Sequence, residues 1–166
     1  MPKIIFNHNI LNEKKLKFSV HNRAFLYGDG LFESIKIING KPFNLEAHLK
    51  RLFSASTLLN LQISISKKNL RNKITLLIKE NKIVNAGNLK IIIFRKKGGK
   101  FLPNHNSTSF LIMSEKSDNN LFKLNKNALA LGLFRDQLKP KGELSNCKTI
   151  SALQSVMCSI DARKKE

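Results

Sequence analysis

The stretch Asn22-Arg23-Ala24-Phe25-Leu26-Tyr27-Gly28-Asp29-Gly30-Leu31-Phe32-Glu33 decides how this chain is read. Gly28 and Gly30 bracket Asp29, so the backbone there is free to take positive φ or to pass close to another segment. Ser34-Ile35-Lys36-Ile37-Ile38 follows and reads as a strand, and Asn39-Gly40 is the strongest short-range hairpin signal a sequence can carry. The stretch predicts a tight turn that feeds a buried strand.

Working outward, residues 3–6 and 16–19 read as short strands, with turns at Asn7-His8-Asn9 and Asn12-Glu13. Lys41-Pro42-Phe43 returns from the hairpin. Asn44 is a candidate N-cap for a helix whose Leu45, Leu49, Leu52, Phe53 and Leu59 recur at helical spacing. Residues 61–65 alternate as a strand or extended linker. Ser66 is the cap of a second helix with Leu70, Ile74, Leu77 and Ile78 on its buried face. Asn85-Ala86-Gly87-Asn88 is a predicted turn, and residues 89–94 form an apolar strand central to a sheet. A basic, glycine-containing loop, residues 95–100, comes next. Residues 108–114 and 128–134 are further predicted strands. Leu153, Val156, Met157 and Ile160 mark one face of a final helix. Strands and helices alternating in this way define an α/β or α+β domain.

The 166 residues are 42% apolar, enough for a packed core. No apolar run approaches the roughly 20 residues that span a bilayer, and the first residues are too short an apolar run for a secretory signal. The expectation is a soluble, cytoplasmic protein. Cys147 and Cys158 alone make neither a disulfide framework nor a zinc site. Thirty Lys+Arg against eleven Asp+Glu give a formal charge of +19, which attracts polyanions. The basic residues are spread along the chain without interleaved aromatics, so a nucleic-acid-binding module ranks last and no specific nucleic acid is expected. A basic chain does suit phosphate and carboxylate ligands.

Two distant residues give the opening stretch a chemical meaning. Lys148 sits where the polar Ser145-Asn146-Cys147 passes into Thr149-Ile150-Ser151-Ala152-Leu153, at the predicted start of the last helix. A helix N-terminus and partial burial both disfavour an ammonium and favour a nucleophilic amine. Arg51 lies on the first predicted helix in His48-Leu49-Lys50-Arg51-Leu52, and its planar fork suits a phosphate.

Residues 22–33, then Asn39-Gly40-Lys41-Pro42-Phe43, His48-Leu49-Lys50-Arg51-Leu52, Ile92-Ile93-Phe94-Arg95 and Lys148-Thr149 occur in one order. Together they resemble the signature of class IV, fold-type IV, pyridoxal-phosphate enzymes: branched-chain and D-amino-acid aminotransferases and aminodeoxychorismate lyase. The resemblance implies pyridoxal 5'-phosphate as cofactor. It makes Lys148 the Schiff-base lysine and proton shuttle, and Arg51 the phosphate ligand. Tyr27 and Phe32 become pocket residues, Phe25 a pocket or core aromatic, and Arg95, with Lys100 behind it, the carboxylate contact. The cofactor acts as electron sink while the protein supplies position and electrostatics. The resemblance further implies an N-terminal small domain over residues 1–125 and the first part of the cofactor domain over 126–166. Family members continue past such a lysine helix with a glutamate for the ring nitrogen and turns for the phosphate, and a chain without that half leaves the last helix uncovered. The function expected is amino transfer between an amino acid, branched-chain first, and a 2-oxo acid, in a homodimer, with no metal. Aminodeoxychorismate lyase is the alternative, and a non-catalytic fragment the next.

Overall fold

The computed structural model describes residues 1–118, 122, 130–135 and 141–165. Lys3–Phe6 (β1) runs directly into Asn9–Asn12 (β2) as a hairpin, with Ile5 opposite Ile10. Asn7 makes the turn at φ 53°, a left-handed conformation that asparagine tolerates. Its Oδ1 accepts from the Phe110 amide at 3.0 Å, tying the turn to the far side of the sheet. Because β2 follows so soon, it takes the β1 edge, and residues 16–19 carry no strand, contrary to expectation. Phe18 of that segment contributes its ring instead, edge-on to Phe6 at 5.7 Å and to Phe94 at 5.9 Å.

The opening stretch folds as a short helix, Arg23–Tyr27 (α1), followed by the strand Gly30–Ile38 (β3). Asn22 Oδ1 accepts from the Ala24 amide at 2.8 Å, and Gly28 ends the helix in the left-handed region at φ 63°. Asn39 and Gly40 both take positive φ and return the chain into Lys41–Pro42 (β4). β3 pairs along its whole length with Ala86–Arg95 (β5), and β5 with Thr108–Lys116 (β6). The sheet order is β2-β1-β6-β5-β3-β4, with every neighbour antiparallel, so the mixed architecture resolves as α+β.

Strand alternation sorts the two faces of this sheet. Leu31, Ile35 and Ile37 of β3, with Leu89, Ile91 and Ile93 of β5, pack against Leu45–Leu58 (α2) and Lys67–Glu80 (α3). Leu70, Ile74, Leu77 and Ile78 form the buried face of α3 as their spacing predicts. Burying each such side chain contributes roughly 1.5–3 kcal/mol. Phe32, Ser34 and Lys36 point to the opposite face.

Ser66 caps α3 as expected, its Oγ accepting from the Asn69 amide at 3.2 Å. Ser66→Ala should cost about 1 kcal/mol, read as a fall in the urea midpoint at unchanged slope. Asn44 differs. It precedes α2 but sits at φ 50° and makes no side-chain cap, because capping needs the extended backbone that Ser66 adopts. Ala86, Gly87 and Asn88, expected in a turn, belong to β5. Gly87 is tolerated there because β6 approaches closely: a Cβ would lie 2.5 Å from the Glu115 carbonyl. Residues 61–65 form no strand beyond one bridge from Gln62 to Ser107, and bend at 64 and 65.

Of the strand expected at 128–134, residues 128 and 129 lie outside the described residues, and 130–134 have no regular structure. The expected boundary between residues 125 and 126 also falls outside them. The last helix, Leu153–Lys164 (α4), presents Leu153, Val156, Met157 and Ile160 as foreseen, and every one of them is exposed. Among the described residues, no helix is long and apolar enough to cross a membrane.

Candidate active site

The lysine segment reaches the opening stretch through one antiparallel bridge. Phe32 N donates to the Lys148 carbonyl at 2.9 Å, Ile150 N donates to the Gly30 carbonyl at 3.0 Å, and Leu31 faces Thr149. The two glycines permit this. A Cβ on Gly30 would sit 2.5 Å from both the Ile93 carbonyl and Ile150 Cδ1, and Gly28, at positive φ, lies against Ser151. Lys148 Nζ then stands 4.5 Å from the centre of the Phe32 ring. It has no carboxylate partner among the described residues. Lys90 Nζ shares the same ring at 5.3 Å. The surroundings of Lys148 suggested a helix N-terminus, but α4 starts only at Leu153, and residue 148 lies in no regular element. The helix dipole is therefore not its electrostatic neighbour.

Glu33, the next residue on β3, points through the sheet to the helical side and is fully buried. Arg51 on α2 grips it with two parallel bonds, Nε to Oε1 at 2.7 Å and Nη2 to Oε2 at 2.6 Å. His48, one turn earlier, lies with Nδ1 2.7 Å from the same Oε2. An ionised carboxylate only accepts, so His48 carries its proton on Nδ1. The 3.3 Å approach of Arg51 Nη2 to Nδ1 is then not a hydrogen bond. Burial pushes the Glu33 carboxyl upward, but the hydrogen bonds and charges of Arg51 and His48 outweigh it and hold it below the usual carboxylate range. The Glu33 bond in turn raises Arg51 above the ordinary guanidinium value. The Arg51 side chain remains 49% exposed, with Nη1 unpartnered among the described residues.

Arg95 has a different setting. It is 6% exposed, and four of its N–H groups are taken: by Asp29 Oδ2 at 3.0 Å, the Leu59 and Asn60 carbonyls, and Asn106 Oδ1. Asp29 Oδ2 also receives Arg23 Nε at 2.8 Å, and Arg23 Nη1 donates to the carbonyls of Gly98, Gly99 and Lys100. Arg95 is thus spent on Asp29, the end of α2 and Asn106, and has little left for a ligand. Tyr27 packs by the loop after β5, its ring 4.8 Å from the Arg23 guanidinium and 5.6 Å from Phe101. Phe25 is exposed rather than a core residue. Lys100 serves through its carbonyl.

The structure therefore brings Lys148, Phe32 and, through Glu33, Arg51 to one strand, and leaves Tyr27 and Arg95 at its entry. A cleft of about 560 Å³ on the Phe32 face is lined by Ser34, Lys36, Asn88, Lys90, Met113 and Glu115 among others. Sequence reasoning missed Lys90, Glu33 and His48. Two signals were available. Glu33 occupies an apolar position in the alternation Leu31, Ile35, Ile37, and His48 stands three residues before Arg51, on the same helix face.

A match to the amino-transferase class IV family model extends over residues 30–166. The chain belongs to this family, whose members work with pyridoxal phosphate. It is similar to a D-alanine aminotransferase of Listeria monocytogenes, 30% identical over 93 residues that cover 56% of this chain and 32% of the relative. Its fold is that of the branched-chain aminotransferase of Thermoproteus uzoniensis solved with norvaline, at TM-score 0.78 and 17% identity, covering 99% of this chain and 57% of that one. It also matches an aminotransferase of Mycobacterium tuberculosis in a PLP-bound form, at TM-score 0.59 and 20% identity, covering 69% of this chain and 39% of that one. The chain thus spans about a third of the curated relative and a little over half of the archaeal structure.

Proposed function

We infer that this chain carries the lysine and phosphate-arginine part of a pyridoxal-phosphate aminotransferase, moving an amino group between an amino acid and a 2-oxo acid. Carrying the inference is the position of Lys148 Nζ: over the Phe32 ring, free of any described carboxylate, beside the strand on which Glu33, next to Phe32, engages Arg51. The donor set suits the cofactor at both ends, with an amine and a guanidinium nitrogen that have no ion-pair or hydrogen-bond partner among the described residues. When bound, the cofactor supplies the electron sink that stabilises negative charge at the substrate α-carbon.

Lys148 is the group that would hold the cofactor aldehyde and carry the α-proton. Arg51 would bind the phosphate through its free Nη1 edge. Phe32 shields one side of the Lys148 amine from water. Lys90 is the cation best placed for a substrate carboxylate, since it shares the Phe32 ring with Lys148 while the Arg95 guanidinium is engaged within the protein. Residues 1–125 are read as the small domain and 126–166 as the beginning of the cofactor domain, with a homodimer as the assembly.

Titration with pyridoxal phosphate should produce the visible absorbance of a lysine-bound aldehyde, and failure to develop it rules the reading out. A panel of branched-chain amino acids and D-alanine, each with 2-oxoglutarate, should then show amino transfer from the branched-chain members first. Aminodeoxychorismate is the control for lyase chemistry.

A further inference from the structure

Lys148 lies on a segment that the backbone holds only lightly. Among the described residues, two hydrogen bonds tie residues 147–153 to β3: Phe32 N to the Lys148 carbonyl and Ile150 N to the Gly30 carbonyl. The helix that follows gives no support, since α4 begins at Leu153 and buries none of its residues. Two such bonds contribute little net free energy. A long side chain carries any shift of its own backbone out to the amine, and a misplacement of about 1 Å is costly to a reacting group. What places Lys148 must therefore be sought in the side chains beside it.

Successive side chains of an antiparallel pairing take opposite faces. Leu31 faces Thr149, so Lys148 and Ile150 share the Phe32 face, and Cys147 lies with Thr149 on the helical face. Contacts on both faces agree. Cys147 packs against the core cluster that contains Leu31. Burial, with the Glu143 charge behind it, pushes the Cys147 thiol up, so it stays protonated. It acts as a small apolar plug rather than as a rival nucleophile. On the other face, Ile150 Cδ1 lies 2.5 Å from where a Cβ on Gly30 would be, so the isoleucine fills the slot that the glycine leaves. With Ile92, Phe94 and Leu111, Ile150 also lines an apolar cavity of about 440 Å³.

We propose that Cys147 and Ile150 are positioning residues for Lys148, pinning its segment from the two faces of the sheet so that the amine stays over the Phe32 ring. This role rests on the functional reading above and adds to it the residues that aim the amine. Neither side chain touches the aldehyde. Gly30 provides the slot, Ile150 fills it, and Cys147 stops the segment from turning about its two hydrogen bonds.

The test uses the full chain and pyridoxal phosphate as the probe. Absorbance gives the affinity for the aldehyde, borohydride reduction fixes it on whichever lysine holds it, and peptide mapping finds that lysine. Wild type should carry the label at Lys148. Ile150→Ala should weaken capture about tenfold and spread the label to other lysines, while the protein stays folded in native buffer. Ile150→Val removes only Cδ1, and should fall between the two. Cys147→Ala should keep most of the capture and Cys147→Asp, which puts a charge in the core, should lose it. Leu153→Ala, on the exposed start of α4, should change nothing. A merely structural role predicts a lower urea midpoint with the affinity and the labelled lysine unchanged, and that result overturns the proposal. Should Ile150→Ala fail to fold, Ile150→Val decides: a severalfold loss with some label moved from Lys148 supports the role, and wild-type capture overturns it. A wild-type chain that captures no aldehyde, or captures it away from Lys148, removes the functional reading and the proposal together. Wild-type capture at Lys148 that Ile150→Ala leaves intact removes the proposal alone.

Discussion

Lys148→Ala should abolish the visible absorbance that pyridoxal phosphate develops with the wild-type chain and reduce any amino transfer by at least ~10³-fold, since one amine serves as covalent anchor and proton carrier. The fold should survive. The backbone of residue 148 makes the strand contact, through a carbonyl that alanine retains, so Phe32 N keeps its partner. The side chain contributes one cation–π contact at 4.5 Å, worth about 0.5–1 kcal/mol at a partly exposed site. Absorbance and stability are thus predicted to separate. The spectrum disappears while the urea midpoint barely moves. A lysine-type spectrum that persists in Lys148→Ala would assign the chemistry to another amine, and Lys90, over the same ring, is the first to try next.

The largest effect on stability is expected at Asp29. Its Oδ2 accepts from two arginines that are 3% and 6% exposed, Arg23 and Arg95. Asp29→Ala leaves two buried guanidinium groups facing one another without a counter-ion. Breaking a buried pair by removing one partner costs about 3–5 kcal/mol. A change of this size consumes a large part of the stability of an ordinary domain. The loop after β5 should loosen as well, since Arg23 Nη1 holds three of its carbonyls, at Gly98, Gly99 and Lys100. Equilibrium unfolding in urea measures the first effect, and the rate of proteolysis within residues 96–104 the second. A loss below about 1 kcal/mol would mean that the carbonyl partners alone satisfy both arginines. The turn residue of the opening stretch thus acts as the clasp between α1, β5 and the basic loop.

Local patterns were legible where a segment carries its own periodicity. The α3 face, its Ser66 cap, the hairpin at Asn39-Gly40 and the apolar β5 were readable because helix and strand periods repeat within each segment. Ala86 to Asn88 were misread because asparagine and glycine signal turns, whereas Gly87 is there for the close approach of β6. Residues 16–19 alternate like a strand, but β2 had already taken the edge of β1. In both places the local signal lost to a partner distant in sequence.

The sequence by itself determined the ingredients of the candidate site: the glycine turn, Phe32, Arg51 and Lys148, in the order that marks the class IV family. Pairing was decided only by the tertiary structure. Arg95 looked like a ligand residue and is bound up by Asp29, Asn106 and two carbonyls. Lys90 looked like one of many lysines and shares a ring with Lys148. Glu33 looked like a strand residue and anchors Arg51 from inside the core. The physical reason is common to all three. A charged side chain takes its role from the partner that burial forces on it, and that partner is set by which strands and helices meet, not by its neighbours along the chain.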